Sequence, residues 1–389
     1  MESVKFVLKN NIRQYGMLIA LVVIMAFFQV TTNGILLVPM NVTNLVLQNA
    51  YVFILAIGMT LTILAGGNID LSVGSLVAFI GAISGALIVT GKMNVGLGIV
   101  LSLLVGLLVG IWQGAWIAYM RIPAFIVTLA GMLTFRGLTI YMLQGLTLGP
   151  YPNSFQAISS GFVPDFLAVP GVALNMTAVI AGIVVCVLFV ISSTRRRIVR
   201  RKNDYENQSF MFFFFRMVGV SAVIMLIAFW LAAYKGLPII FIIIAVLVLA
   251  YSFYTTRTVP GRHVYAVGGN EKAAKLSGIN TNRVLFAGYV NIGVLAAVAG
   301  IAFTSRLNAA SPVAGQNFEL DAIAACFIGG ASAYGGVGTI IGSIIGALVM
   351  GVLNNGMSIM GAGTDIQQIV KGLVLLAAVA FDVSSKKRA

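Results

Sequence analysis

The sequence predicts an all-α polytopic membrane protein with about ten to twelve transmembrane helices and both termini in the cytoplasm. Three observations carry that expectation. Of 389 residues, 60% are apolar and only 9% are charged, where an ordinary soluble domain has about 45–50% and about 25%. A soluble protein so poor in charge has too little polar surface to cover itself. Apolar runs close to the ~20 residues that cross a bilayer core recur along the whole chain. Finally, the 24 Lys and Arg, against 10 Asp and Glu, sort to alternate connections, as the positive-inside bias requires.

The predicted spans, in order, are 15–34, 50–66, 71–90, 95–119, 123–143, 174–193, 211–233, 237–254, 284–304, 319–333, 338–357 and 366–382. The first follows Lys5, Lys9 and Arg13 and has no A-x-A-like cleavage site, so it reads as a retained helix and not a secretory signal. The run 319–333 is short and ends in Gly329-Gly330, which suits a half-helix as well as a crossing. The connection 144–173 is the largest on the outer side, and 194–210 and 255–283 are the polar loops on the inner side. None is long enough to fold as a domain, so residues 1–389 form a single membrane domain with no soluble catalytic unit.

Charge fixes the sidedness. With the N-terminus inside, the inner side collects the three N-terminal cations, Arg121 and the cluster Arg195, Arg196, Arg197, Arg200, Arg201, Lys202 and Arg216. It also collects Arg257, Arg262, Lys272, Lys275 and Arg283, then Lys386, Lys387 and Arg388. That is nineteen of the 24 basic residues; the outer side keeps Lys92, Lys235 and Arg306, and Arg136 and Lys371 fall within spans. An even number of crossings satisfies this distribution. The net charge of +14 is therefore mostly an orientation signal, and no basic face is left for nucleic acid.

Several chemistries are excluded. There is no G-x-x-x-x-G-K-[ST] loop, so the chain does not bind ATP by a P-loop of its own. The one histidine, His263, rules out a His-based metal cluster or catalytic triad. Cys186 and Cys326 lie in apolar runs and read as small core residues. No enzyme site and no cofactor are expected, so uphill transport must draw on ions or on a partner.

The unusual residues gather in a few places. Asp70 lies in Gly66-Gly67-Asn68-Ile69-Asp70-Leu71-Ser72-Val73-Gly74, where the Gly pair breaks one helix and Asp70 and Ser72 suit the cap of the next. A charge at a span end is also a candidate for a gate, and both readings stand; no second carboxylate or His is expected nearby to relay a proton. The pattern recurs in Gly329-Gly330 through Val337-Gly338, and each copy leads into a G-x-x-x-G followed by Ala-Leu. Paired Gly-interrupted spans point to a transport path. Glu319 and Asp321, after Phe318, sit at the outer end of a span, where a solvated rim, admission of a polar solute or docking of an external partner all fit. In the loop 255–283, Gly268-Gly269-Asn270 precedes Glu271-Lys272-Ala273-Ala274-Lys275-Leu276-Ser277 and Gly278. Asn270 can cap, Glu271 complements the helix N-terminus, and Gly278 can end a short helix lying on the inner face.

Taken together, these segments resemble the monosaccharide permeases of ATP-driven (ABC) importers, the ribose, xylose and multiple-sugar type within the branched-chain permease superfamily. Five motifs occur in family order: Ile69-Asp70-Leu71-Ser72-Val73-Gly74-Ser75, Arg121-Ile122-Pro123-Ala124-Phe125-Ile126-Val127-Thr128-Leu129, the loop Arg262 to Ile279, Phe318-Glu319-Leu320-Asp321-Ala322 through Gly330, and Asn354-Asn355-Gly356. The likeness runs from about 41 to 382, except for 194–236, an insertion with a basic loop and extra membrane segment like that of the xylose and multiple-sugar branch. Trp112-Gln113-Gly114 departs from the Asn-Gly expected there. The resemblance implies a fold like the cobalamin-permease (type II) importers and a homodimer in the bacterial inner membrane. It implies a periplasmic or lipid-anchored sugar-binding protein outside and a cytoplasmic ATPase that binds the ATP. That ATPase would dock on Gly268, Gly269, Asn270, Glu271, Ala273, Ala274, Ser277 and Gly278. The path or its gate would involve Asp70, Ser72, Phe318, Glu319, Asp321, Asn354 and Asn355. The alternative readings are an ion-coupled secondary transporter of a small polar solute and a non-transporting membrane scaffold.

Overall fold

The computed structural model describes residues 12–168, 170–171, 173–203 and 209–386. Lys5, Lys9, Lys387 and Arg388, which entered the charge argument, lie outside these. The helices are α1 (Ile12–Thr31), α2 (Pro39–Gln48), α3 (Ala50–Leu64), α4 (Val73–Gly85, continued by a π turn Ala86–Thr90), α5 (Val95–Ala118), α6 (Ala124–Leu143), α7 (Asn153–Ser160) and α8 (Met176–Lys202). There follow α9 (Phe210–Ala232), α10 (Ile239–Arg257), α11 (Val259–Gly269), α12 (Glu271–Leu276), α13 (Thr281–Leu307), α14 (Phe318–Ile328), α15 (Ile340–Ile359) and α16 (Thr364–Lys386). Among the described residues there is no strand beyond the isolated bridges Leu148–Ala310 and Phe162–Pro238. Among the described residues nine helices are long and apolar enough to cross a bilayer, or ten if α2 and α3, which meet at 46°, form one span. The apolar part of α1, Gly16–Thr31, is shorter.

The chain divides into two compact units. The larger comprises residues 12–36, 45–160 and 240–386 of the described chain. At its centre α3 is buried along its whole length, and it packs on α13, α14 and α15. The helix α13 also packs on α4, α5 and α7. Its contact with α5 is close because Gly106, Gly110 and Gly114 form one stripe on α5, with Gly293 opposite. A Cβ at Gly110 would fall 2.7 Å from the Tyr289 carbonyl oxygen and 2.9 Å from the Val290 Cα. Backbone on both sides cannot move aside, so Gly110→Leu is expected to lower stability by about 3 kcal/mol or more, read as a drop in thermal midpoint in detergent.

The run expected at 319–333 is a half-helix. Its eleven residues span roughly 16 Å, about half the hydrocarbon core. The chain then continues as the irregular segment 329–339. Such backbone survives at membrane depth only when protein satisfies it, and here it does: Ala331 N donates to Cys326 O at 2.9 Å, Ser332 N to Val337 O at 2.8 Å and Gly336 N to Leu64 O at 3.0 Å.

The second unit comprises residues 37–44 and 161–239 and contains the expected insertion 194–236. Here α8 and α9 form an antiparallel hairpin, with Asn175 N donating to Ala232 O at 3.0 Å and Gly182 meeting Ala228. The loop expected at 194–210 is mostly helix, because α8 continues through the basic cluster to Lys202. Arginine is a good helix former, and Arg197 lies 4.7 Å from the Phe213 ring centroid of α9, a cation–π contact. The loop expected at 255–283 is likewise mostly helical, holding α11 as well as the anticipated short α12, and the connection 144–173 holds α7.

Candidate functional site

The polar segment 258–280 builds its own scaffold. Thr258 caps α11 through a bond from Gly261 N of 3.1 Å, and Asn270 Oδ1 accepts from Ala273 N at 3.0 Å, capping α12. Ser277 Oγ donates to Ala273 O at 3.0 Å, and Gly278, at φ +83°, takes the left-handed turn that ends the helix. Ala274 is the inward residue, while Glu271, Ala273, Ser277 and Gly278 are exposed and Leu276 is 90% exposed.

Arg121 fixes this helix to the rest of the unit. It donates to Glu271 Oε1 at 2.6 Å, Asn282 Oδ1 at 2.5 Å and Thr281 Oγ1 at 3.2 Å. The Arg121 hydrogen bond holds the Glu271 carboxyl below its usual value of 4.5. Because the folded-state value is the lower one, the pair contributes across neutral pH and is lost as pH falls through that lowered value. Both side chains are half-exposed, so the pair is worth less than about 1 kcal/mol. The difference in thermal midpoint between wild type and Glu271→Gln is therefore expected to be small and constant above pH 4.5 and to close below it; a gap that persists in acid would show that Glu271 acts otherwise than as a charge.

Gly268 is the point where the loop meets the membrane helices. A Cβ there would overlap the Leu64 carbonyl oxygen and lie 2.5 Å from Gly336 N. Gly269 is different, since a Cβ there meets nothing within 4 Å. Tyr265 Oη adds a bond to Gly338 O of 2.9 Å. So α11 presses directly on both Gly-interrupted segments that the sequence paired. Those segments also press on each other: a Cβ at Gly335 would lie 2.9 Å from Gly66 Cα and from Gly67 N.

Beyond the first break lies Asp70, 1% exposed. Its Oδ1 accepts from Ser72 N at 2.8 Å and Ser72 Oγ at 2.7 Å, and Gln113 Nε2 donates to Ser72 Oγ at 2.7 Å. The capping bond expected from Ser72 into α4 is not made; its hydroxyl is spent on Asp70 instead. Gln113, noted only as a departure from Asn-Gly, joins this buried chain, and its Oε1 has no hydrogen-bond partner among the described residues. The expectation that Asp70 has no carboxylate neighbour also fails. Glu319, on α14, reaches Gly74 four residues beyond Asp70, so close that a Cβ there would overlap its Oε2.

The half-helix α14 carries the rest. The solvated rim considered for Glu319 and Asp321 is not found, as they are 9% and 1% exposed. They occupy the first turn of α14, where the helix dipole favours an anion. Asp321 Oδ2 accepts from Tyr51 Oη at 2.8 Å, and Lys371 Nζ lies 3.0 Å from Oδ1. Phe318 stacks on Tyr51 with ring centroids 3.6 Å apart and meets Phe303 edge-on at 5.0 Å. Arg136 donates to Pro312 O at 2.9 Å and Ala314 O at 2.6 Å, holding the turn before α14. At its far end, Asp382 Oδ2 accepts from Ala333 N at 3.2 Å and from Ser332 Oγ at 3.3 Å. Lys371 and Asp382, three turns apart on α16, thus hold the half-helix and the segment after it. Asn354 Nδ2 donates to Asn49 Oδ1 at 3.3 Å while Asn354 Oδ1 has no partner among the described residues, and Asn355 is buried beside it.

Two of the anticipated groups are therefore real neighbourhoods. The loop residues share α11 and α12, and Asp70, Ser72, Phe318, Glu319 and Asp321 line the breaks and the half-helix. Asn354 and Asn355 lie on α15, against Asn49. Tyr51, Phe303, Gln113, Lys371 and Asp382 were missed. Of these, Gln113, a departure from Asn-Gly, and Lys371, a cation inside an apolar run, carried a signal but were given no role.

The geometry agrees with the comparisons to known proteins. Residues 41–379 match the family described as branched-chain amino acid transport system / permease component. The xylose transport system permease protein XylH of Haemophilus influenzae is 42% identical over 384 residues, 98% of this chain and 100% of that one. Its namesake in Escherichia coli is 40% identical over 379 residues, 97% of this chain and 93% of that one. The ribose import permease protein RbsC of Bacillus subtilis is 37% identical over 352 residues, 90% and 87% of the two chains. No solved structure matches significantly. With its family motifs lying on the broken helices and the loop that presses on them, the chain belongs to the permease-component family of branched-chain amino acid transport systems.

Proposed function

We propose that this chain is the membrane permease subunit of an ATP-driven importer for a monosaccharide of the xylose type, working as a homodimer in the bacterial inner membrane. The seat of Gly268 against Leu64 O and Gly336 N supports this reading most strongly. It joins the exposed helix α12, where a cytoplasmic ATPase docks, to both breaks in the membrane helices, with only Gly269 and Asn270 between. ATP is bound and hydrolysed by that partner, and a sugar-binding protein delivers substrate on the outer side. The aromatic rings of Tyr51, Phe303 and Phe318 suit the apolar face of a sugar ring, and the neighbouring carboxylates and the unpartnered Asn354 Oδ1 suit its hydroxyls. The extra hairpin over 194–236 accords with the xylose branch.

Buried Asp70, Glu319 and Asp321 give the ion-coupled alternative more substance than the sequence alone did. Asp321, however, is already matched by Lys371, and Asp70 by Ser72. Proteoliposomes holding the permease and its ATPase, with the binding protein outside, are expected to accumulate labelled xylose over ribose. Uptake of ribose alone would move the substrate, and uptake of no pentose or hexose would refute the reading.

A further inference from the structure

Beside the coupling loop is an open cavity of about 290 Å³ between α10, α11 and α13, reaching α3 at Leu61. Its walls are of two kinds. One part is apolar, formed by Leu61, Val264, Ile279, Val284 and Ala287. The other is a cluster of donors at the basic end of these helices, namely Arg283, His263 and Asn280. Asn280 spends its Oδ1 on Arg283 N at 3.0 Å, which leaves its amide NH₂ to donate. Arg283 and His263 form no side-chain hydrogen bond or ion pair among the described residues, and no carboxylate lines the cavity. Asn291, on the cavity wall, accepts from Tyr251 Oη at 2.9 Å, tying α10 to α13.

We propose that this cavity binds the headgroup of an anionic phospholipid. A cation with no counter-charge, set at the end of membrane helices and backed by an apolar wall, matches a phosphodiester with the first carbons of its acyl chains. The volume is just below the ~300 Å³ at the small end of ligand pockets, so it takes a headgroup and not a whole lipid. An acidic segment of a protein partner is less well matched, because five apolar side chains would then face a polar chain. The site borders Gly278 and Ile279, directly after α12, so an occupied cavity braces the C-terminal end of the docking helix. The proposal concerns lipid binding and stands or falls apart from the transport reading.

Native mass spectrometry of the full-length permease, equilibrated with phosphatidylglycerol and phosphatidylethanolamine of the same acyl chains, tests it. Wild type is expected to retain phosphatidylglycerol at least about fivefold over phosphatidylethanolamine, the factor that one membrane-surface cation supplies. Arg283→Gln should bring the ratio close to one, Val284→Trp should fill the cavity and do the same, and Arg257→Gln, outside the cavity, should leave it unchanged. Equal retention of the two lipids by wild type would overturn the proposal even if the variants do not fold. So would full retention by a folded Arg283→Gln protein. Displacement of the lipid by an equal concentration of glycerol 3-phosphate would make it a simple anion site, and displacement by the ATPase would assign it to the protein partner; either result contradicts the proposal.

Discussion

A permease carrying Gly268→Ala is expected to bind its ATPase and yet fail to import sugar. The added methyl would overlap the Leu64 carbonyl oxygen and crowd Gly336 N, the two groups that bond to each other at 3.0 Å. Both are backbone, so neither can swing away as a side chain would. Relief requires α11 to lift from the breaks at Gly66-Gly67 and 329–339, at a cost of about 1–3 kcal/mol or more. The exposed face of α12, where the ATPase is proposed to dock, is not touched. ATPase affinity should therefore change by less than about threefold, while coupling falls by roughly 5- to 150-fold. Gly269→Ala is the matched control, because a Cβ there meets nothing, and it should transport normally. Binding measured by fluorescence titration and uptake measured in vesicles separate the two effects.

Lys371→Met is expected to destabilise the protein by about 3 kcal/mol or more. Lys371 is the only cation within ion-pair distance of Asp321 among the described residues, and the Asp321 side chain is only 2% exposed. Without it the carboxylate keeps the Tyr51 hydroxyl at 2.8 Å but no counter-charge. Tyr51→Phe, which removes that hydrogen bond and leaves the ion pair, should cost about 1.5–3 kcal/mol. The double variant Asp321→Leu with Lys371→Met should recover part of the single loss, since removing both charges removes the desolvation cost, while the Tyr51 hydroxyl left without its acceptor keeps about 1–3 kcal/mol of it. Thermal midpoints in detergent read the cycle. A double variant no more stable than Lys371→Met would mean that Asp321 is held by something other than charge pairing.

How much of this was legible follows from what each feature depends on. Membrane spans are set by local hydropathy, so most of their positions could be read directly, while for 319–333 the local Gly329-Gly330 stop left a half-helix and a crossing both open. The short helix at 271–276 was equally legible, because Asn270, Glu271 and Gly278 carry its start and stop. Hydropathy does not separate a solvated basic loop from a basic helix, and so the extension of α8 through Arg195 to Lys202 was read as a loop. The pairing of the two Gly-interrupted segments was visible as a repeated pattern, but their meeting at Gly268 was not. Contacts between distant elements escaped most. Asp321 and Lys371 are 50 residues apart, and nothing near Glu319 or Asp321 says whether a first-turn carboxylate faces water or a buried partner. The close stripe of Gly106, Gly110 and Gly114 has helical spacing, yet glycine is common enough in membrane helices that spacing alone does not select it.

In the proposed function, ATP spent on the inner face, and no ion gradient, drives sugar through the broken helices. Its most direct test is uptake of labelled xylose into proteoliposomes that contain the permease and its ATPase, loaded with ATP inside and binding protein outside, with ionophores present to collapse proton and sodium gradients. The account predicts that accumulation continues with the gradients abolished and stops when the internal ATP is replaced by a non-hydrolysable analogue. Accumulation that stops with the ionophores, or that proceeds on a sodium or proton gradient without ATP, would contradict it.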